Sequence, residues 1–424
     1  MRTRTWAAGT VAVLVVASVV GIATAAAGRC AVGGDPGPGA AVWTPSGGPE
    51  ERAAADEAQR RTAAVTAAAG LPATVVWGLR SREGNGEQLP EVVGATVTDD
   101  GVLVTVQVRG DDALLAAHAA ADGRPLWSAA LPDRRGGVVL DPVPGGPLLV
   151  TTNQALAALD PSTGELRWCT GVDPDATSTA TPTGDGVLVA EQDARRSRMR
   201  MLSTGTGDEQ WSERYESHDG GIAPVVAGDT VAVFAADAGD DGRTSGVRAF
   251  RTATGEPAWS STVDFPKPMG ASDGVLLLRT DAGLQGVDPG TGRVYWTSRE
   301  PVGGGTRGGG TVVAPPVAGA PALLLRAVGQ DDSRGGLTGF DPATGVVRWE
   351  RTGEELGGRP GRPVESPGAL GDRVLLTDHD LLAVVDARDG RVLGRGTVRG
   401  VDVVSGDLGV AFGGPLTTVL RFAP

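Results

Sequence analysis

Short apolar runs punctuate this chain: Leu148–Val150, Val187–Ala190, Thr230–Phe234, Val275–Leu278, Ala322–Ala327 and Arg373–Thr377. Glycine, proline or other turn residues bound them. Runs this short predict strands buried on both faces, because a helix needs ten residues or more to be useful. Four of them follow a proline that precedes a glycine by four residues, at Pro182, Pro224, Pro315 and Pro367, which marks a shorter strand and its turn. After each run a second apolar stretch leads into a polar turn, as in QALAALD before Pro161 and LLAVVD before Ala387. A fourth strand leaves that turn. Four antiparallel strands per repeat predict the blade of a β-propeller.

The turn itself is the most regular feature. In LDPSTGELRW, Leu159 to Trp168, Asp160 and Pro161 open it, Ser162 and Thr163 can bond their own backbone, and Gly164 suits a positive φ. A tryptophan follows that glycine by four residues. The unit recurs with Gly123 and Trp127, Gly207 and Trp211, Gly255 and Trp259, Gly292 and Trp296, and Gly345 and Trp349. A seventh copy has Gly390, with Gly394 in place of the tryptophan. The marker glycines are separated by 41, 43, 48, 37, 53 and 45 residues, a variable period that predicts one supersecondary unit repeated with loop insertions.

Blade number follows from what is left over. After Gly390 and its strand, Val398–Pro424 supplies three strands and no fourth. Before the first full repeat, Leu71–Arg80 supplies one strand, carrying Trp77, with no hairpin leading into it. Placing that strand outside the C-terminal three closes an eighth blade and leaves the closing sheet complete. The expected fold is therefore all-β: an eight-bladed propeller over 73–424 closed by an N-terminal strand. Seven blades is the alternative. One tryptophan per blade at an equivalent position is expected to serve blade-to-blade packing, its N–H satisfied by a neighbouring carbonyl.

Composition agrees with many short strands and turns. The chain has 66 glycines, 29 prolines, 40% hydrophobic and only 4% aromatic residues. Its net charge of −13 argues against general affinity for nucleic acid. The N-terminus adds a different element. Arg2 and Arg4 lie in residues 1–6, read as a short cytoplasmic tail, and the uncharged apolar run 7–27 is long enough to cross a bilayer as a helix. An uncleaved transmembrane anchor with an extracytoplasmic remainder is the expectation, and secretion after signal cleavage is the alternative. Residues 28–72 read as a linker, with an alanine-rich helix over 50–69 that has few large apolar residues to pack with. Cys30 and Cys169 could pair in an oxidising compartment, geometry permitting.

The turn unit resembles the pyrroloquinoline-quinone-type repeat family, on Asp160, Thr163, Gly164 and Trp168; Asp288, Thr291, Gly292 and Trp296; and Asp341, Thr344, Gly345 and Trp349. The resemblance covers about Leu71 to Pro424. It implies an eight-bladed fold, hosted in that family both by quinoprotein dehydrogenases and by a non-enzymatic lipoprotein that scaffolds outer-membrane barrel assembly. The dehydrogenases use a vicinal cysteine pair on the quinone and a calcium-binding set of acids and amides. This chain has no adjacent cysteines, and its only asparagines are Asn85 and Asn153. No cofactor, metal or catalytic residue is assigned.

Other chemistry is sparse. His118, His218 and His379 are scattered, without partners at ligand spacing. Gly270-Ala-Ser-Asp-Gly274 matches the G-x-S-x-G pattern but reads as a turn before a strand rather than a strand-to-helix elbow. In Ala194–Leu202 the arginines Arg196, Arg198 and Arg200 alternate with Ser197, Met199 and Met201 and share one face of a strand, a possible interaction surface for an acidic partner. The functional expectation is a monomeric, membrane-anchored scaffolding or binding module with an unknown envelope protein or polymer as partner and no nucleic acid. The alternatives are a quinoprotein-like or polysaccharide-active enzyme using the funnel, and a ligand-sensing ectodomain.

Overall fold

A computed structural model describes residues 41–68, 70–80, 91–109, 112–131, 137–192, 196–216, 224–235, 246–262, 267–280, 283–298, 310–313, 321–326, 336–358, 365–377, 381–397, 401, 403–411 and 416–423. Eight antiparallel sheets follow one another along the chain. We number the blades in order, by the residues from first to last strand: blade 1, 91–131; blade 2, 139–171; blade 3, 177–216; blade 4, 225–261; blade 5, 267–298; blade 6, 310–352; blade 7, 365–397. Blade 8 joins the two ends of the chain. Its inner strands are Val403–Ser405, Leu408–Ala411 and Leu416–Phe422, and Ala73–Arg80 pairs with Leu416–Phe422 from outside. The ring has eight blades, not seven.

The short apolar runs are the second strands of the blades. Leu148–Thr151, Val187–Gln192 and Thr230–Ala235 are buried at every position. The period of two along a strand explains this. Leu148 and Val150 pack toward blade 1, whereas Leu149 packs toward blade 3. Likewise Val187 and Val189 face blade 2, and Leu188 faces blade 4. Eight apolar clusters result among the described residues, one at each junction between blades. The core is thus a ring of sandwiches and not one central mass, which is how a chain with so few aromatics stays packed.

The stretch read as a linker is in part built into the ring. Ala41–Trp43 forms a fifth strand outside blade 8, in register Ala41 with Arg80 and Trp43 with Gly78. The alanine-rich segment is the helix Pro49–Ala68. It packs on Ala73–Arg80 and on Val392–Thr397, the outer strand of blade 7. The expectation that it lacks the means to pack is corrected here. Ala54, Ala55 and Ala58 are buried against Leu71, Leu375 and Phe422, with Leu393 alongside. Alanine lets the helix axis come close, and the ring supplies the large side chains. The Gln59 side chain fixes its height, accepting from Val75 N–H at 2.9 Å and donating to Ala73 C=O at 3.4 Å.

The run 7–27, expected from the sequence to cross a membrane, lies outside the described residues. Among those described, no helix is long and apolar enough to cross a membrane.

Candidate functional site

The repeated turns form a chain of joints around the ring. In blade 2, Asp160 organises its own turn: Oδ1 accepts from Ser162 N–H at 2.9 Å, Ser162 Oγ at 2.6 Å and Thr163 N–H at 3.2 Å, and Oδ2 takes Arg167 at 2.7 Å. The Ser162 hydroxyl, then the Arg167 guanidinium, hold this carboxyl well below the usual range. Asp341 is lowered chiefly by Arg348, and Asp288 chiefly by the Tyr295 hydroxyl. Each carboxylate fastens a turn whose glycine then meets the preceding blade.

Seven tryptophans make that meeting. Trp77 donates to Ala120 C=O at 2.9 Å, Trp127 to Pro161 at 2.8 Å, Trp168 to Thr204 at 2.7 Å and Trp211 to Thr252 at 2.7 Å. Trp259 donates to Pro289 at 2.7 Å, Trp296 to Pro342 at 2.8 Å and Trp349 to Ala387 at 3.1 Å. In each case the carbonyl belongs to the turn of the next blade. The glycine of that turn lies on the indole face, so a Cβ on Gly123, Gly164, Gly207, Gly255, Gly292, Gly345 or Gly390 would come within 2.3–2.7 Å of the ring. Those glycines also hold φ between 70° and 76°. The joint thus covers one face of each ring.

Two demands therefore fall on one residue, and they can be separated by mutation. Gly207→Ala should lose roughly 1–2 kcal/mol to the left-handed backbone and a further amount, about 1–3 kcal/mol, to the collision with Trp168. Gly101→Ala carries the first cost alone, because Gly101 has φ of 72° and open space around it. Urea unfolding of the two variants should differ by the second cost, and equal losses would contradict the joint.

The eighth junction explains the missing tryptophan. Blade 7 carries Gly394, and blade 8 has no hairpin opposite it, because there the sheet joins Leu416–Phe422 to Ala73–Arg80 across the two chain ends. A tryptophan would have no turn to dock on. The helix Pro49–Ala68 and Leu71 fill this junction instead.

One arginine of the stripe, Arg200, does not lie on a free surface. Arg196–Leu202 is the third strand of blade 3, not its outermost. Arg200 is 6% exposed. It donates to Glu191 at 3.1 Å and to Gly171 C=O of blade 2 at 3.0 Å, so it joins two blades rather than waiting for a partner. Glu191 also accepts from Asp173 N–H at 3.0 Å. Arg198 is half-exposed and pairs with Glu209 at 2.9 Å. The Arg196 side chain lies outside the described residues. The inference of an interaction surface is corrected for Arg200, and both Arg198 and Arg200 have acid partners within their own blade.

His118 is buried in blade 1, its ring 5.4 Å from that of Trp77, and its Nδ1 has no hydrogen-bond partner. Burial lowers its pKa to about 4. The unfolded chain takes up this proton near pH 6.5, whereas the folded chain resists it until about 4. The His118 contribution to stability is fully present above pH 6.5, falls as pH drops toward 4, and levels off below. The total is about 3 kcal/mol. The slope between pH 6.5 and 5 should vanish in His118→Leu when unfolding is followed across that window. His218 and His379 lie outside the described residues. Ser272 is buried in a strand, and Asp273 and Gly274 take positive φ, so G-x-S-x-G is a strand-to-strand turn here.

A family model described as outer membrane protein assembly factor BamB matches residues 111–268 and 195–411, together more than half of the chain. The chain belongs to this family. BamB from Moraxella catarrhalis has 20% identity and a TM-score of 0.54, over 82% of this chain and 100% of that one, and shares its fold. Quinohemoprotein alcohol dehydrogenases are also similar. The Pseudomonas putida enzyme has 14% identity and a TM-score of 0.49 over 78% of this chain and 75% of its own. The Comamonas testosteroni enzyme has 13% identity and a TM-score of 0.49 over the same shares. No curated protein sequence matches the chain.

Among the described residues of this BamB-family chain, no quinone and calcium site of the dehydrogenase kind is gathered. Cys169 stands on the outer strand of blade 2, at the rim and far from the axis in sheet order, and it has no adjacent cysteine to form a platform. Asn153 is a described residue of blade 2, and Asn85 lies outside the described residues. Among the described residues no three acids, histidines or cysteines are gathered as a metal would need.

Proposed function

We propose that the chain is a membrane-anchored, extracytoplasmic propeller acting as a protein-interaction or scaffolding module of the cell envelope. Membership in the BamB family carries this reading, since the family is described as an assembly factor. The ring suits the task physically. Its blades are locked by tryptophan joints, so loops and edges are presented on a rigid frame. Two further observations support the compartment. The run 7–27 is apolar, with arginines before it. Cys169 is disulfide-bonded, and such bonds persist in oxidising compartments.

Cross-linking in native membranes, followed by purification of the full chain, should give a stoichiometric envelope partner. Repeated failure to find one would overturn the scaffolding reading. Two parallel measurements address location: no thiol should react before reduction, and removal of residues 1–40 should release the chain from the membrane fraction.

A further inference from the structure

The outer strand of each blade is a sheet edge, with backbone groups free to pair with another chain unless something prevents it. Most edges here are guarded. Blades 1 and 4 begin theirs with Pro125 and Pro257, each of which removes an amide donor. Blade 3 carries Glu209, Glu213, Arg214 and Glu216, and blade 6 carries Arg348, Glu350 and Arg351. Blade 2 has Arg167 and the disulfide-bonded Cys169. The helix Pro49–Ala68 lies on the edge of blade 7, and Ala41–Trp43 covers that of blade 8.

Blade 5 differs. Its outer strand, Val294–Ser298, reads VYWTS, with no charge and no proline, and no described element pairs with its outer side. Val294 is 47% exposed and Tyr295 42%. Gly345 rests on Trp296, which brings Val346, 59% exposed, to the same rim. One charge stands at the end of this apolar edge. Arg293 stacks over the Tyr295 ring at 5.5 Å and forms no ion pair among the described residues. The nearby Asp288 carboxylate is already held by Tyr295 and Thr291. The molecule also shows that an outer edge tolerates a fifth strand, since apolar Ala41–Trp43 adds to blade 8 in antiparallel register.

We propose that the outer edge of blade 5, Val294–Ser298, receives an extended apolar segment of a partner protein as a fifth strand, with a carboxylate of that segment meeting Arg293. Main-chain hydrogen bonds would supply affinity, and the exposed valines with Arg293 would supply register and choice. The proposal rests on the reading of the chain as a protein-interaction module, and names where one contact is made.

The test uses the full chain and a short fluorescent peptide of alternating valine and threonine with a terminal aspartate. Fluorescence polarisation should show saturable binding that Val294→Lys weakens by about tenfold or more, the equivalent of about 1.4 kcal/mol. Gln210→Lys, on the guarded edge of blade 3, should leave binding unchanged. Replacing the peptide's aspartate by lysine should abolish binding, and Arg293→Glu should restore it, which a merely structural role for Arg293 would not do. Hydrogen exchange should slow in 294–298 when the peptide is bound. Absence of saturation, indifference to Val294→Lys, or no charge-swap rescue would overturn the proposal. The module reading fails separately. An envelope partner retained equally by wild type and Val294→Lys removes this edge and leaves that reading intact, whereas no partner for the wild type removes that reading even if the peptide binds.

Discussion

Trp77→Ala should destabilise the ring by about 3–5 kcal/mol, the usual cost of emptying a large buried aromatic site. Trp77 is fully buried. Its loss would leave a cavity beside Leu79, Val92 and Leu103, remove the ring against which Gly123 and His118 pack, and strand the Ala120 carbonyl. Its place in the ring adds to this. Trp77 sits on the strand from the N-terminal end that completes blade 8, and it docks on blade 1. It therefore holds the one blade in which a strand is joined to the other three only by pairing. Trp259→Ala, at an equivalent but half-buried joint inside a continuous repeat, should cost less. Urea midpoints for the two variants, with hydrogen exchange across 73–80, check both statements. A Trp77→Ala chain within about 1 kcal/mol of wild type would mean that closure depends on the strand pairing alone.

The parts of this structure that sequence shows plainly are those written in periodicity. A run such as VLVA, with turns at both ends, is apolar at every position because blades flank it on both faces, and that signal is local. Blade number was legible because strands are conserved as a count: three left over at one end need one from the other. The Pro49–Ala68 helix was harder. Its buried face is made of alanines, which give almost no amphipathic contrast, and its partners Leu375 and Phe422 lie hundreds of residues away. Gly394 stands where the other copies of the repeat carry tryptophan. It belongs to the copy facing the one junction without a turn, a fact that exists only once the ring is closed.

Arg200 was hidden from sequence for a related reason, and it yields the second large effect. Breaking the pair between Glu191 and Arg200 from one side should cost about 3–5 kcal/mol, because it leaves a buried charge without its partner. Both side chains are 8% exposed. Glu191 lies opposite Arg198 in the ladder and therefore diagonal to Arg200, a distance that charged side chains of this length span. Alternation along 196–200 shows three cations on one face. It cannot show that an acid from the adjacent strand and a carbonyl from the preceding blade, Gly171, already occupy that face. Glu191→Leu alone should also free the Asp173 amide, deepening the loss. Adding Arg200→Met should recover most of it, since two apolar side chains of similar volume need no charge compensation and would join the apolar junction between blades 2 and 3. Thermal unfolding of the two single variants and the double variant forms a complete cycle. Additive losses, with the double variant the least stable of the three, would show that the two charges are not paired in solution and that the stripe is open to a partner after all.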